Sequence, residues 1–127
     1  MLQKRMVWVT FDRVGFHCYP GAPDEVSYLR ERHRHKFFFK VSVEVFHDDR
    51  DIEFHMLLNQ IEQWYSDGSL ELDYKSCEMM ADELFVKLQR HFIDEGLVHK
   101  DRQCVIEVSE DRECGAVSVY VLTSLDN

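Results

Sequence analysis

The sequence predicts an α+β domain with the element order strand, strand, helix, helix, strand, strand. Two patterns predict it: apolar residues alternate with polar ones towards both ends of the chain, and they recur at helical spacing in between. No internal repeat or linker divides the chain, and its 127 residues fit a single domain, 1–127, with its own core. We therefore expect one layer of strands with both helices on one of its faces.

The first half of the chain predicts two strands separated by a long loop. Met6 to Phe11 is short and rich in β-branched and aromatic residues, so it is interpreted as a strand. Gly15 to Arg32 holds two glycines and two prolines and predicts a loop of a length that often carries function. Lys36 to Phe46 carries an apolar residue at every second position and predicts the second strand, which a charged turn ends at His47 to Asp51.

Helical periodicity follows the charged turn. Asp51 is a suitable N-cap for a first helix, whose apolar positions are Phe54, Leu57, Leu58, Ile61, Trp64 and Tyr65. Ser66 to Ser69 ends that helix, and a brief link from Leu70 to Lys75 follows. Ser76 is the expected N-cap of a second helix, whose apolar positions are Met80, Leu84, Phe85, Leu88 and Phe92. Two further strands are predicted at Gln103 to Glu110 and Ala116 to Leu122.

The net charge, the apolar runs and the cysteine spacing indicate which classes of partner and which cellular location to expect. The formal net charge of −9 argues against duplex nucleic acid or an anionic membrane as the main partner. No apolar run is long enough to cross a bilayer, and the first residues lead straight into a predicted strand, so we expect a cytoplasmic protein. Four scattered cysteines without a CxxC pair predict reduced thiols: Cys18, Cys77, Cys104 and Cys114.

His33 and His35 suggest a metal site at the head of the second strand. Successive side chains of a strand point to opposite faces, so both imidazoles project from the face that continues through Phe37 and Phe39. Neutral imidazoles are common zinc ligands, and two on one face can share an ion. Basic residues cluster around this pair and predict either a solvated strand end or an anchor for an anionic ligand: Arg30, Arg32, Arg34, Lys36 and Lys40.

Glu110 ends an otherwise apolar row in the third predicted strand. It shares a face with Cys104, Ile106 and Val108, and an unpaired carboxylate on that face is costly to bury. Glu110 therefore either turns to water at the strand end or accepts two N–H bonds from a flat heterocycle with an amino-pyrimidine edge.

The order of these features resembles the 6-pyruvoyl- and 6-carboxytetrahydropterin synthases. His17, in Gly15-Phe16-His17-Cys18-Tyr19-Pro20, stands sixteen residues before His33 and matches the family's first zinc histidine. The resemblance extends from about Met6 to Tyr120 through three further segments: Ile52-Glu53-Phe54, Ser76-Cys77-Glu78 and Ile106-Glu107-Val108-Ser109-Glu110.

This resemblance implies the tunnelling fold (T-fold): a four-stranded antiparallel sheet with two helices on one face, which oligomerises into a barrel as a trimer or hexamer. It implies zinc at His17, His33 and His35. It also implies a pterin- or purine-type ligand anchored by Glu110 and near Glu78. Arg34, a member of the basic cluster, is a further candidate ligand-binding residue, although it departs from the glycine of the family's HGH.

The sequence departs from the family at its catalytic residues. Leu29 stands where the family has its catalytic cysteine, and Asp73 matches the aspartate of the family's Asp-His dyad but is followed by Tyr74. Cys18 is the only thiol in the first predicted loop and is adjacent to His17, so it is the candidate replacement for the missing cysteine. The candidate catalytic residues are therefore Asp73 and Cys18. Two functions follow as alternatives: a zinc-dependent lyase-type enzyme with non-standard catalytic residues, or a non-catalytic protein that sequesters a purine-type nucleotide. A plain assembly protein would leave Glu110 and the histidine pair unexplained.

Overall fold

A computed structural model describes residues 1–124 and confirms the α+β class. The five strands are β1 (Arg5–His17), β2 (His33–Val45), β3 (Ser69–Glu71), β4 (Arg102–Glu110) and β5 (Cys114–Leu122). The two helices are α1 (Phe54–Trp64) and α2 (Cys77–Asp94), and a short 3₁₀ helix spans Asp24–Leu29. Neither helix in residues 1–124 combines the length and the hydropathy that crossing a bilayer would need.

The sheet has five strands rather than the four that were expected. Its order is β3-β1-β2-β4-β5, and every neighbouring pair is antiparallel except β1 and β3. β3 begins at the last residue of the predicted helix end, Ser66 to Ser69, and continues into the predicted link from Leu70 to Lys75. It is only three residues long and pairs with Val14–Phe16 of β1, so it offers no alternation from which a strand could be predicted.

Both helices cover the same face of the sheet. The buried side chains of β1, β2 and β4 are alternate residues that register with one another, as in the row Val9, Val41 and Ile106. α1 packs against β1, and α2 packs against β4 and β5. Together with these strand residues, the following buried side chains of the helices form the hydrophobic core: Leu57, Ile61, Met80, Ala81, Leu84, Leu88 and Phe92. Each large apolar side chain buried there stabilises the fold by roughly 1.5–3 kcal/mol.

The pairing of β1 and β2 continues further than the sequence pattern predicts. Gly15, where a loop was expected to begin, pairs with His35, and the ladder ends with His17 opposite His33. The absence of a side chain at Gly15 makes this possible, because a Cβ there would lie 2.8 Å from the ring of Phe37 and 2.9 Å from Leu72. His17 is therefore the last residue of a strand and not part of a loop, which brings it next to the histidine pair.

One helix cap was predicted correctly and one was not. The Ser76 side chain caps α2 by accepting the backbone N–H of Met79. α1 is capped by Glu53, whose side chain accepts the N–H groups of residues 55 and 56. Asp51, the expected cap, instead accepts the N–H of Phe46 and pairs with the buried guanidinium of Arg102. A buried cation requires its counter-ion more strongly than an exposed helix end requires a cap.

Candidate metal centre

Three imidazoles meet where β1 ends and β2 begins. His17, His33 and His35 each offer a ring nitrogen, and these three nitrogens all lie within 4.8 Å of one another. The ring centroids are 4.5 Å apart for His17 and His33, 5.4 Å for His17 and His35, and 4.9 Å for His33 and His35. The ring planes meet at 67° to 86°, so the rings converge edge-on and do not stack. This arrangement lets one metal ion bind all three.

The outer nitrogen of each ring has an acceptor of its own. Nδ1 of His17 lies 3.0 Å from the carbonyl oxygen of Lys75, and Nδ1 of His33 lies 2.8 Å from that of Glu31. Because a carbonyl oxygen only accepts, both Nδ1 atoms carry the proton. In a neutral ring the lone pair is then on Nε2, which is the tautomer that binds a metal through Nε2.

His35 has a carboxylate in the same role. Its Nδ1 lies 2.6 Å from Oδ2 of Asp111, while Oδ1 of Asp111 accepts the backbone N–H of Lys36 at 2.9 Å. The pKa of Asp111 is lowered, first by the Lys36 N–H and then by His35. Asp111 is therefore an ionised acceptor that fixes both the tautomer and the orientation of His35.

Two of the inner nitrogens have no hydrogen-bond partner among the described residues. Nε2 of His33 and Nε2 of His35 are both buried and make no hydrogen bond, although Oε2 of Glu110 lies 3.1 Å from Nε2 of His35. A buried polar atom without a partner is uncommon, and an ion is one of its recognised explanations. The set of three imidazole nitrogens suits zinc and its neighbours in the first transition series.

A cavity of about 680 Å³ lies beside the histidines. His17 and His33 line one side of it, and Glu110 lines the end of β4. The first turn of α2 closes it through Ser76 and Glu78. The volume is in the range of cavities that hold small-molecule ligands. The histidine cluster therefore faces an open chamber and not the hydrophobic core.

Six of the eight residues selected from the sequence meet here. Cys18, Glu78 and Glu110 line the cavity together with His17 and His33. His35 joins them through its contacts with the other two rings and with Glu110, whose Oε2 lies 3.1 Å from its Nε2. The elements that supply these residues are distant in sequence, and the sheet register and the start of α2 bring them together.

Arg34 and Asp73 do not line the cavity. Arg34 lies between two histidines on β2, so the alternation of the strand directs its side chain to the opposite face of the sheet. Asp73 is exposed in a turn with φ of 51°, and its backbone carbonyl accepts the N–H of Cys18 at 2.7 Å. In this chain Asp73 supports the loop at Cys18, and its carboxylate is not part of the cavity wall.

Four of the five residues in the basic cluster around the histidines are paired with acids, which supports the solvated interpretation. Arg30 pairs with Asp24, and Arg32 pairs with Glu71. Lys36 and Lys40 lie 3.6 Å and 3.9 Å from carboxylate oxygens of Asp12 and Glu107, respectively. Exposed pairs of this kind are solvated surface interactions and do not form an anion pocket.

Three thiols line the cavity, of which only Cys18 was selected from the sequence. Cys77 is buried at the start of α2, and burial, with Glu110 and Glu78 adding to it, raises the pKa of its thiol to about 12. Cys77 therefore stays protonated and unreactive near neutral pH. Cys114 is exposed at the start of β5, opposite Glu110 in the strand register. The turn between β4 and β5 thus adds both Cys114 and Asp111 to the site, although neither forms a recognisable motif.

No family model matches this sequence, and no curated protein matches it.

Proposed function

We propose that this chain is a zinc-binding protein of the tetrahydropterin-synthase type, with His17, His33 and His35 as the metal ligands. What supports the metal is that all three Nδ1 atoms face acceptors, which leaves three converging Nε2 lone pairs. Nε2 of His33 is buried without a hydrogen-bond partner among the described residues, and Nε2 of His35 faces a carboxylate oxygen at 3.1 Å, so the residues present fit the ion. Zinc bound by three protein ligands retains an open position and polarises a hydroxyl or carbonyl oxygen of a bound molecule.

The ligand that we propose is a pterin- or purine-type ring in the adjoining cavity. Glu110 supports it, because its half-buried carboxylate faces the cavity and can accept two N–H bonds from an amino-pyrimidine edge. Tyr19, Leu29 and Tyr74 add apolar and aromatic wall to the same space. A flat ring with a hydrogen-bonding edge uses both kinds of surface.

Ring binding is tested by titrating the zinc-loaded protein with neopterin and, separately, with guanosine triphosphate. Glu110→Gln should weaken the binding of either ring about tenfold or more, because the amide places a donor where the ring needs an acceptor. Glu113→Gln is the matched control, since it removes an exposed carboxylate from the turn that follows Glu110 and should leave affinity unchanged. Equal affinities for the wild type and Glu110→Gln would show that the ring is held elsewhere.

Non-catalytic binding is the second candidate, and two side chains favour it. Leu29 lines the cavity where the resemblance places a catalytic thiol, and Asp73 lies outside the cavity wall. A lyase-type reaction would then depend on Cys18 alone among the proposed catalytic residues. Incubation of the zinc-loaded protein with dihydroneopterin triphosphate separates the candidates. Turnover that Cys18→Ser abolishes supports the enzyme, whereas tight binding without turnover supports the sequestering protein.

We further propose that the chain forms a homo-oligomeric barrel of the T-fold type, as a trimer or hexamer. Two unpaired sheet edges in residues 1–124 support this: the outer edge of β5, and β1 from Arg5 to Arg13, which β3 does not cover. The sheet face opposite the helices also exposes Trp8, Val117, Val119 and Val121. Light scattering coupled to size exclusion should give a mass three or six times that of the chain, and a monomer at micromolar concentration would contradict the proposal.

A further inference from the structure

Glu110 lies against two of the three inner nitrogens, and neutral rings offer it no donor there. Its Oε2 lies 3.1 Å from Nε2 of His35, and its Oε1 lies 3.6 Å from Nε2 of His17. The Nδ1 proton of each ring is directed to its own acceptor, so in the neutral rings both Nε2 atoms present lone pairs to the carboxylate. Two acceptors at this separation repel each other, and either a proton on the ring or a metal ion between them removes that repulsion.

The separations match those between ligands of one metal ion. Zinc binds imidazole nitrogen and carboxylate oxygen at roughly 2.0–2.2 Å, so neighbouring ligands of a tetrahedral site lie roughly 3.3 Å apart. The two distances from Glu110, 3.1 Å and 3.6 Å, lie on either side of that value. A carboxylate is also a usual zinc ligand beside histidine.

The backbone holds Glu110 in place, and its side chain is partly exposed on the side of the cavity. Glu110 pairs with Phe37 of β2 and with Cys114 of β5, and its carbonyl oxygen accepts the N–H of Glu113 at 2.9 Å. Its side chain is 30% exposed on the cavity side. The carboxylate can therefore face either the histidines or a molecule in the cavity.

We infer that Glu110 is a displaceable fourth metal ligand. Its carboxylate completes the coordination of the ion when the cavity is empty, and it leaves the ion to bind a ring when the ring occupies the cavity. This inference rests on the metal site of the proposed function. The inference assigns Glu110 a role at the metal in addition to ring recognition. Binding of the ring would then open a coordination position of the ion next to the ring.

Cobalt(II) substitution with visible absorption spectroscopy tests this inference. Cobalt reports the number and type of ligands, and azide reports whether a coordination position is open to small anions. We expect the cobalt-loaded wild type to show a four-ligand spectrum that azide does not change. Glu110→Gln should shift that spectrum and make it respond to azide, with cobalt affinity lower by about tenfold or more. Glu113→Gln should behave as the wild type.

The outcomes separate this inference from the proposed function. A cobalt-loaded Glu110→Gln spectrum that superimposes on that of the wild type, or a wild-type spectrum that azide changes, would overturn the role of Glu110. Either result would leave the three-histidine site standing. Failure of the wild type to bind cobalt at all would remove both. Because the azide arm uses the wild-type protein, the inference is tested even if Glu110→Gln does not fold.

Discussion

His35 donates from Nδ1 to Oδ2 of Asp111 at 2.6 Å, although the two residues are 76 positions apart in the chain. The contact exists because the turn after β4 returns to the start of β2. There Oδ1 of Asp111 accepts the backbone N–H of Lys36, and the backbone N–H of Asp111 donates to the carbonyl oxygen of Lys36. Asp111 thus connects the backbone of β2 to one of the candidate metal ligands, a geometry that orients metal-binding histidines in proteins.

Asp111→Asn should lower the affinity for zinc by about 10- to 100-fold. The amide retains the shape of the side chain and tolerates the φ of 54° at this position, so the fold should survive. What it loses is the negative charge that fixes His35. Competition against a chromophoric zinc chelator measures the affinity.

Glu113→Gln serves as the control for this experiment, since it removes an exposed charge from the same turn and should leave zinc affinity unchanged. Unchanged affinity in Asp111→Asn would mean that Asp111 does not position His35.

Asp51→Asn should destabilise the protein by about 3 kcal/mol, because it leaves the guanidinium of Arg102 buried without its counter-ion. The Arg102 side chain is 1% exposed, and its Nη1 lies 2.8 Å from Oδ2 of Asp51. Urea unfolding at neutral pH measures the loss. The exposed pair of Asp49 and Arg50 provides the control, and Asp49→Asn should change stability by less than about 0.5 kcal/mol.

The contribution of Asp51 should also depend on pH in a defined direction. The Arg102 guanidinium, together with the Phe46 N–H, holds the pKa of Asp51 below its ordinary value of 3.8. A lowered pKa stabilises the fold fully above the ordinary value, and this stabilisation is lost as the pH falls through the lowered one. The difference in unfolding free energy between the wild type and Asp51→Asn should therefore be fully present above about pH 5 and decrease below about pH 4. A difference that grows as the pH falls below about 4 would contradict this assignment.

Two of the four thiols should react rapidly with a disulfide reagent in the native protein. Cys114 is exposed and Cys18 is half-buried, whereas burial raises the pKa of Cys77 and of Cys104 to about 12. Timed release of the thiolate chromophore counts the fast thiols, and denaturant should expose the remaining two. Cys18→Ser and Cys114→Ser should each leave one fast thiol. A rapid reaction that persists in the variant lacking both would show that Cys77 or Cys104 is accessible in the native protein.

The sequence was sufficient to predict the features that depend on local periodicity. The apolar residue at every second position after His35 placed both histidines on the core-facing side of β2, and helical spacing located α1 and α2. Ser76 was recognisable as a cap because its role depends only on the residues that follow it. The prediction of His17 as a third ligand came from the resemblance, and the structure brings it to the other two histidines.

Features that depend on long-range contacts were missed. The short strand β3 is defined only by its pairing with β1, and Asp111 gains its role only because β4 and β5 bring their turn to the start of β2. Arg34 was selected because it is adjacent to the histidines in sequence, whereas adjacent residues of a strand lie on opposite faces. Asp51 had two possible roles, and the burial of Arg102, 51 residues away, determined which one it takes.

The central claim is that His17, His33 and His35 hold a metal ion, and elemental analysis of protein purified without chelator or histidine tag tests it most directly. We expect about one zinc per chain in the wild type and in His99→Ala, which alters an exposed histidine, and almost none in His33→Ala. A wild-type protein that contains no metal and binds none when zinc is added would contradict the claim.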